Sequence, residues 1–176
     1  MSITLILGGA RSGKTAMAEQ WAVQSGQQVV MIATARNEDG EMDQRIARHR
    51  AMRPDHWLTV EEPVHLAAIL KKHATPERYL LVDCLTLWIT NLLLADETGE
   101  VLAAEKEALL KGLAELPGEV VLVSNETGLG VVPMGALTRR YVDEAGWLHQ
   151  AVAKQAERVV MCVAGLPMVL KGQLTS

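Results

Sequence analysis

No run of apolar residues in this chain approaches the length of a membrane span. The first residues pass directly into a strand-like segment with no basic-then-apolar leader, so the cytoplasm is the expected compartment. Nor is there an excess of basic charge. A formal net charge of -4 and a pI near 5.7 argue against a nucleic-acid-binding surface, although small anionic ligands remain compatible. Cysteine is scarce: Cys84 and Cys162 share no metal-like spacing and read as small core residues in a reducing compartment. Internal repeats, low-complexity tracts and a domain boundary are also missing, so residues 1–176 are expected to form one domain. With 49% of its 176 residues hydrophobic and 22% charged, the chain can bury a real core, and disorder is excluded.

What the chain does have is Gly8-Gly9-Ala10-Arg11-Ser12-Gly13-Lys14-Thr15, a GxxxxGK(S/T) segment. It follows the apolar run Ile3-Thr4-Leu5-Ile6-Leu7 and precedes a helical pattern beginning near Ala16. A strand delivering the chain to such a turn lets successive backbone N–H groups face phosphate oxygens, and the helix N-terminus adds its partial positive charge. Lys14 would reach the β- and γ-phosphates as a point charge, and the Thr15 hydroxyl would ligate Mg²⁺. A turn that merely joins strand to helix would not need all of these parts in register.

Further along, Gln28 to Thr34 is an apolar run of strand length, the signature of a strand buried on both faces of a parallel sheet. The polar stretch from Ala35 to Gly40 then lies at the carboxyl end of that strand, where open α/β sheets bind ligands. Tyr79 to Leu85 is a second such strand that ends in Asp83. Four hydrophobic residues followed by an acid suit a carboxylate holding Mg²⁺ beside Thr15, and a strand-end cap is the alternative. Trp57 to Glu61 reads as a short strand and Val64 to His73 as a helix. Glu62 suits the helix start, while Glu61 is open between capping and ligand contact.

Helices are expected over Thr86 to Ala95 and about Ala103 to Leu116, joined by a polar link from Asp96 to Glu100. Glu119 to Ser124 is another buried strand and opens into Asn125-Glu126-Thr127-Gly128-Leu129-Gly130-Val131-Val132-Pro133. This glycine-containing loop again lies on the ligand edge. A long helix follows with Leu137, Tyr141, Ala145, Leu148 and Val152 as its apolar stripe, and Gly146 within it suggests close packing or a subunit contact. Val159 to Val163 is the last long strand, and Met168-Val169-Leu170 reads as a short antiparallel edge strand.

One more segment carries charge in an unusual way. Glu41 to Arg53 has helical spacing, with Met42, Ile46 and His49 on one face and Arg45, Arg48, Arg50 and Arg53 around the histidine. His49 is either a helix histidine packed at the edge of the core or a nucleophile. Clustered arginines favour neutral imidazole and would hold an attacked phosphate.

Taken together, these segments resemble one family, the bifunctional adenosylcobinamide kinase / adenosylcobinamide-phosphate guanylyltransferases of cobalamin biosynthesis. The matching stretches are the Gly8 to Thr15 loop, Ile32-Ala33-Thr34, the Arg45 to Trp57 segment with Arg53-Pro54 and His56-Trp57, Thr90-Asn91-Leu92-Leu93, and Ser124 to Pro133. The resemblance implies a three-layer α/β P-loop NTPase domain with a mostly parallel central sheet, assembled as a homotrimer. It implies that His49 carries the GMP of a covalent intermediate, although Arg48 stands where family members commonly have a neighbouring histidine. It further implies that Thr34, Ala35, Arg50, Arg53, Glu61 and Asp83 contact the guanine nucleotide. Its substrates would be ATP or GTP with Mg²⁺, acting on adenosylcobinamide and then on its phosphate. Two rivals need less: a small-molecule kinase uses only the loop, and a nucleotide switch would need an NKxD segment, which the chain lacks.

Overall fold

The computed structural model describes residues 2–36 and 54–174. Strand β1 (Ser2–Gly8) runs into the glycine-rich turn, and helix α1 (Lys14–Gln24) follows it. The chain then forms β2 (Gln28–Ala33), β3 (Leu58–Glu61), α2 (Leu66–His73), β4 (Arg78–Asp83) and α3 (Leu85–Ala95). Helix α4 (Glu100–Leu113), β5 (Glu119–Asn125), α5 (Ala136–Gln155), β6 (Arg158–Val163) and β7 (Leu166–Lys171) complete it.

The strands form one sheet in the order β3-β2-β4-β5-β1-β6-β7, and every neighbouring pair is parallel except β6–β7. The continuous apolar runs are explained by burial on both faces. Alternate residues divide between two cores. Ile3, Leu5, Val30, Ile32, Leu80, Val82, Val120 and Leu122 face Leu66, Trp88, Leu109, Leu148 and their neighbours on α2, α3, α4 and α5. Ile6, Met31, Leu81, Val121 and Val123 face Ala18 and Ala22 of α1, with Trp57. The result is the expected three-layer α/β arrangement; among the described residues α1 lies on one side of the sheet and four helices on the other.

Register aligns the carboxyl ends of the strands. Gly8 pairs with Asn125 and Cys162, Ala33 with Glu61 and Asp83, and Asp83 with Val123. One edge of the sheet therefore carries the ends of β1, β2, β3, β4 and β5 together.

Two helix starts differ from their expected positions, and a carboxylate bonds the backbone near each. The Glu62 carboxylate accepts the N–H groups of Val64 and His65 at 3.0 and 2.8 Å, just ahead of the helix, which begins at Leu66. The Asp96 carboxylate accepts Thr98 N–H at 2.8 Å and Val101 N–H at 3.0 Å, which starts α4 at Glu100, three residues before Ala103. The expected stripe of α5 holds at Ala145, Leu148 and Val152, whereas Leu137 is 52% exposed, and the whole first turn of α5 is exposed with it. A Cβ at Gly146 would meet nothing within 4 Å among the described residues, so close packing against them does not account for that glycine.

The hairpin from β6 to β7 turns through Ala164 and Gly165 at φ 52 and 78. Both central residues are left-handed, which matches the twist of a two-residue hairpin. All six residues of β7 are exposed, so it is the short antiparallel edge strand expected at the C-terminal end.

Candidate functional site

The turn between β1 and α1 is built around positions where a side chain cannot be accommodated. A Cβ on Gly8 would lie 2.4 Å from Ser12 Oγ and 2.7 Å from Cys162 O. Arg11 and Gly13 have φ 56 and 94, and the left-handed conformation at Gly13 turns the chain into α1. Gly13 caps α1 with no side-chain hydrogen bond, and the first turn carries no acidic residue. The leading N–H groups of that helix are thus offered to an external anion. Lys14 is buried, its exposure only 7%, and Nζ donates to Gly9 O at 3.1 Å, folding the side chain back over the turn. An ammonium in so confined a place needs anionic company to offset its lost hydration.

The second wall of the edge comes from β2 and β4. Thr34 is fully buried, its hydroxyl donates to Cys84 O at 2.7 Å, and it accepts from Cys84 N–H at 2.9 Å. Asn91 of α3 donates its amide to Thr34 O at 2.7 Å and to Pro63 O at 3.1 Å. Thr34 is thereby a clasp between strand ends, and Ala35 follows it on the ligand edge. Asp83 is half-buried at the end of β4, and Glu61 is exposed at the end of β3. Burial, and then the Asp83 carboxylate, push the Cys84 thiol up to about 11, while the Lys14 ammonium pulls it the other way. Both charges therefore lie close enough to Cys84 to influence it, although β5 separates β4 from β1. The thiol itself stays protonated at neutral pH.

A third group lies where β5 ends. Glu126 N–H donates to Gly8 O at 3.0 Å, tying the following loop to the phosphate-binding turn. Asn125 N–H donates to Thr86 Oγ1 at 2.7 Å, Thr86 lies 3.4 Å from Ser124 Oγ, and His149 Nε2 lies 2.8 Å from the same Ser124 oxygen. Burial lowers the pKa of His149, opposed by the Glu126 carboxylate, so the imidazole is neutral near pH 7. Sequence reasoning missed this buried chain of polar groups. The signal was there: His149 occupies the i+4 position of the buried set Ala145, Leu148 and Val152 on α5.

Mg²⁺ fits the donors present. Thr15 supplies a hydroxyl and Asp83 a carboxylate, both hard oxygen ligands, and an ion of this kind takes its remaining ligands from phosphates and water. Among the described residues no cluster of three histidine, cysteine or acidic side chains forms a cage of its own. His49, Arg50 and Arg53 lie outside the described residues, with the rest of 37–53. Of the expected site residues, the edge brings together Gly8 to Thr15, Thr34, Ala35, Glu61 and Asp83.

Comparisons with known proteins agree with this geometry. The sequence pattern of the family described as cobinamide kinase / cobinamide phosphate guanyltransferase matches residues 4–170. The chain is 65% identical over 169 residues to the bifunctional adenosylcobalamin biosynthesis protein CobP of Pseudomonas aeruginosa, covering 96% of this chain and 97% of that protein. It is 37% identical over 179 residues to CobU of Escherichia coli, covering 95% and 98% respectively. Among solved structures, the RadB recombinase matches with a TM-score of 0.54 at 18% identity, covering 91% of this chain and 73% of that one. The flagellar accessory protein FlaH of Methanocaldococcus jannaschii matches at 0.52 and 14%, covering 98% and 79%. These two likenesses are of fold.

Proposed function

The chain belongs to the cobinamide kinase / cobinamide phosphate guanyltransferase family, and from that premise we propose that it performs both steps on one nucleotide-binding edge. In the first step a γ-phosphoryl group passes from ATP or GTP to the hydroxyl of adenosylcobinamide. In the second, His49 attacks the α-phosphate of GTP and expels pyrophosphate. The phosphate of adenosylcobinamide phosphate then attacks the histidine-bound GMP and frees His49, giving the GDP-activated product. Covalent catalysis divides one difficult displacement into two easier ones.

The observation that carries this reading is the buried Lys14 beside an uncapped helix N-terminus at a turn where Gly8 admits no side chain. Those groups suit the β- and γ-phosphates, and Lys14 would neutralise charge as it spreads over them. Mg²⁺, held by Thr15 and Asp83, would supply further charge neutralisation on the same oxygens. Ala35, Arg50, Arg53 and Glu61, with Thr34 holding the strand ends in place, would complete the guanine-nucleotide site.

Assembly as a homotrimer belongs to the same reading. Its support is the exposed apolar surface of β7 and of the loop before α5, where Val131 and Met134 are 96% and 97% exposed. No helix among the described residues is long and apolar enough to cross a membrane. The test is incubation with Mg²⁺ and GTP labelled at the α-phosphate, beside His49→Ala. Acid-labile, alkali-stable label on wild type alone is the expected result. Label on both proteins would move the nucleophile elsewhere, and label on neither, with turnover intact, would leave a kinase alone.

A further inference from the structure

The phosphate-binding turn is held from behind by the far end of the chain. Cys162 stands opposite Gly8 in the β1–β6 ladder, and this register brings its side chain under the turn. Its Sγ donates to Ser12 O at 3.0 Å, and the N–H of Gly165 donates to the same oxygen at 2.8 Å. The Ser12 hydroxyl, by contrast, is buried with no partner among the described residues, where the carbonyl and not the side chain anchors this residue. The two pieces also touch where only glycine fits. A Cβ on Gly13 would approach Gly165 Cα to 3.1 Å and Cys162 Sγ to 3.7 Å.

We propose that the β6–β7 hairpin orients the phosphate-binding turn, with Cys162 and Gly165 as positioning residues for nucleotide affinity. The argument rests on the planarity of the peptide bond. In a trans peptide the carbonyl of one residue and the N–H of the next point in opposite directions. With Ser12 O fixed toward the hairpin by two donors, the N–H of Gly13 is directed away from it. That N–H stands at the head of α1, among the groups assigned above to the phosphates. Release of the carbonyl would let the Ser12–Gly13 peptide rotate and lose this donor. Gly165 meets the geometry because its φ of 78, next to Ala164 at 52, turns its own N–H toward Ser12. The hairpin thus links an exposed edge strand to the grip on the nucleotide.

This inference rests on the reading that the turn binds GTP. The experiment is a fluorescence titration with mant-GTP and Mg²⁺ at room temperature on wild type, Cys162→Ala and Cys162→Ser. Unfolding midpoints are measured in parallel without nucleotide. Loss of one weak donor should raise the dissociation constant of Cys162→Ala by about threefold to tenfold. Cys162→Ser, which restores a donor, should bind within about twofold of wild type. A purely structural role would lower the midpoint and leave the dissociation constant untouched, and that result overturns the proposal, as does a serine variant as weak as alanine.

Should Cys162→Ala fail to fold, Gly165→Asn and Gly165→Ala carry the same test. Asparagine tolerates a positive φ and keeps the N–H in place, whereas alanine is strained there although nothing crowds its Cβ. Asparagine is expected to bind like wild type and alanine more weakly, and equal affinities would overturn the proposal. A wild-type protein that does not bind mant-GTP would instead overturn the nucleotide reading itself.

Discussion

Asn91→Leu isolates the buried amide that ties three segments of the ligand edge. Leucine has nearly the length and branching of asparagine, so the exchange opens no large cavity. What disappears is the donor to Thr34 O at 2.7 Å and Pro63 O at 3.1 Å. Thr34 is fully buried, so water cannot replace the lost partner at its carbonyl. Pro63 is half-buried and recovers part of its loss from solvent. A stranded buried acceptor costs about 1–3 kcal/mol and a lost net hydrogen bond about 0.5–1.5 kcal/mol, which together give roughly 2–4 kcal/mol. At about 2–4 °C per kcal/mol for a chain of this size, the midpoint should fall by roughly 4–16 °C. Urea unfolding without nucleotide, followed by tryptophan fluorescence, measures the first figure, and a thermal scan the second. A loss below about 0.5 kcal/mol, the range of an inconsequential surface exchange, would refute the clasp.

Two further outcomes follow from the same geometry. Because burial depresses the pKa of His149, the unfolded chain binds a proton near pH 6.5 that the fold does not. Stability is then complete above that value and falls as the pH drops below it, by at most about 1.4 kcal/mol per pH unit for a single proton. His149→Gln should flatten the decline in denaturation series between about pH 7 and 5, and an unchanged slope would count against His149 as its source. At Gly118, with φ 79, a Cβ would lie 2.3 Å from Thr75 O and 2.7 Å from Arg78 O, both backbone atoms. Gly118→Ala should cost more than about 2 kcal/mol by urea unfolding, and a cost under about 1 kcal/mol would show that the segments entering β4 and β5 yield easily.

The strands were legible because burial on both faces leaves an unbroken apolar signature, as at Val29 to Ile32 and Leu80 to Val82. The phosphate-binding turn was legible because its residues are local: the strand, the glycines, Lys14 and the helix are consecutive. Helix starts shifted where a carboxylate reached ahead to backbone N–H groups, at Glu62 and Asp96, since a cap is a three-dimensional act that composition only hints at. Sheet order was not legible. Nothing in the runs themselves states that β5 enters between β4 and β1, which places Glu126 N–H against Gly8 O. The hold of Cys162 and Gly165 on Ser12 was hidden for the same reason, being a contact across about 150 positions that only the β1–β6 ladder creates.

The two proposed reactions place different demands on one grip, and this yields a comparison sharper than either activity alone. In phosphoryl transfer the γ-phosphate is the group in flight, whereas in guanylyl transfer the β- and γ-phosphates leave together as pyrophosphate. Lys14, folded over the turn with Nζ 3.1 Å from Gly9 O, would stabilise negative charge on those phosphates in both cases. His49 would act only in the second. Lys14→Met is therefore expected to lower both activities by about a hundredfold or more, the scale of losing one preorganised transition-state donor. His49→Ala should abolish guanylylation and leave kinase turnover within about twofold, as expected when a nucleophile serves one step of two. Assays of cobinamide phosphorylation and of GDP-cobinamide formation on the same preparations decide it. Guanylylation retained without Lys14 would mean that the two steps do not share a phosphate grip, and kinase activity lost with His49 would mean that His49 is not confined to the second step.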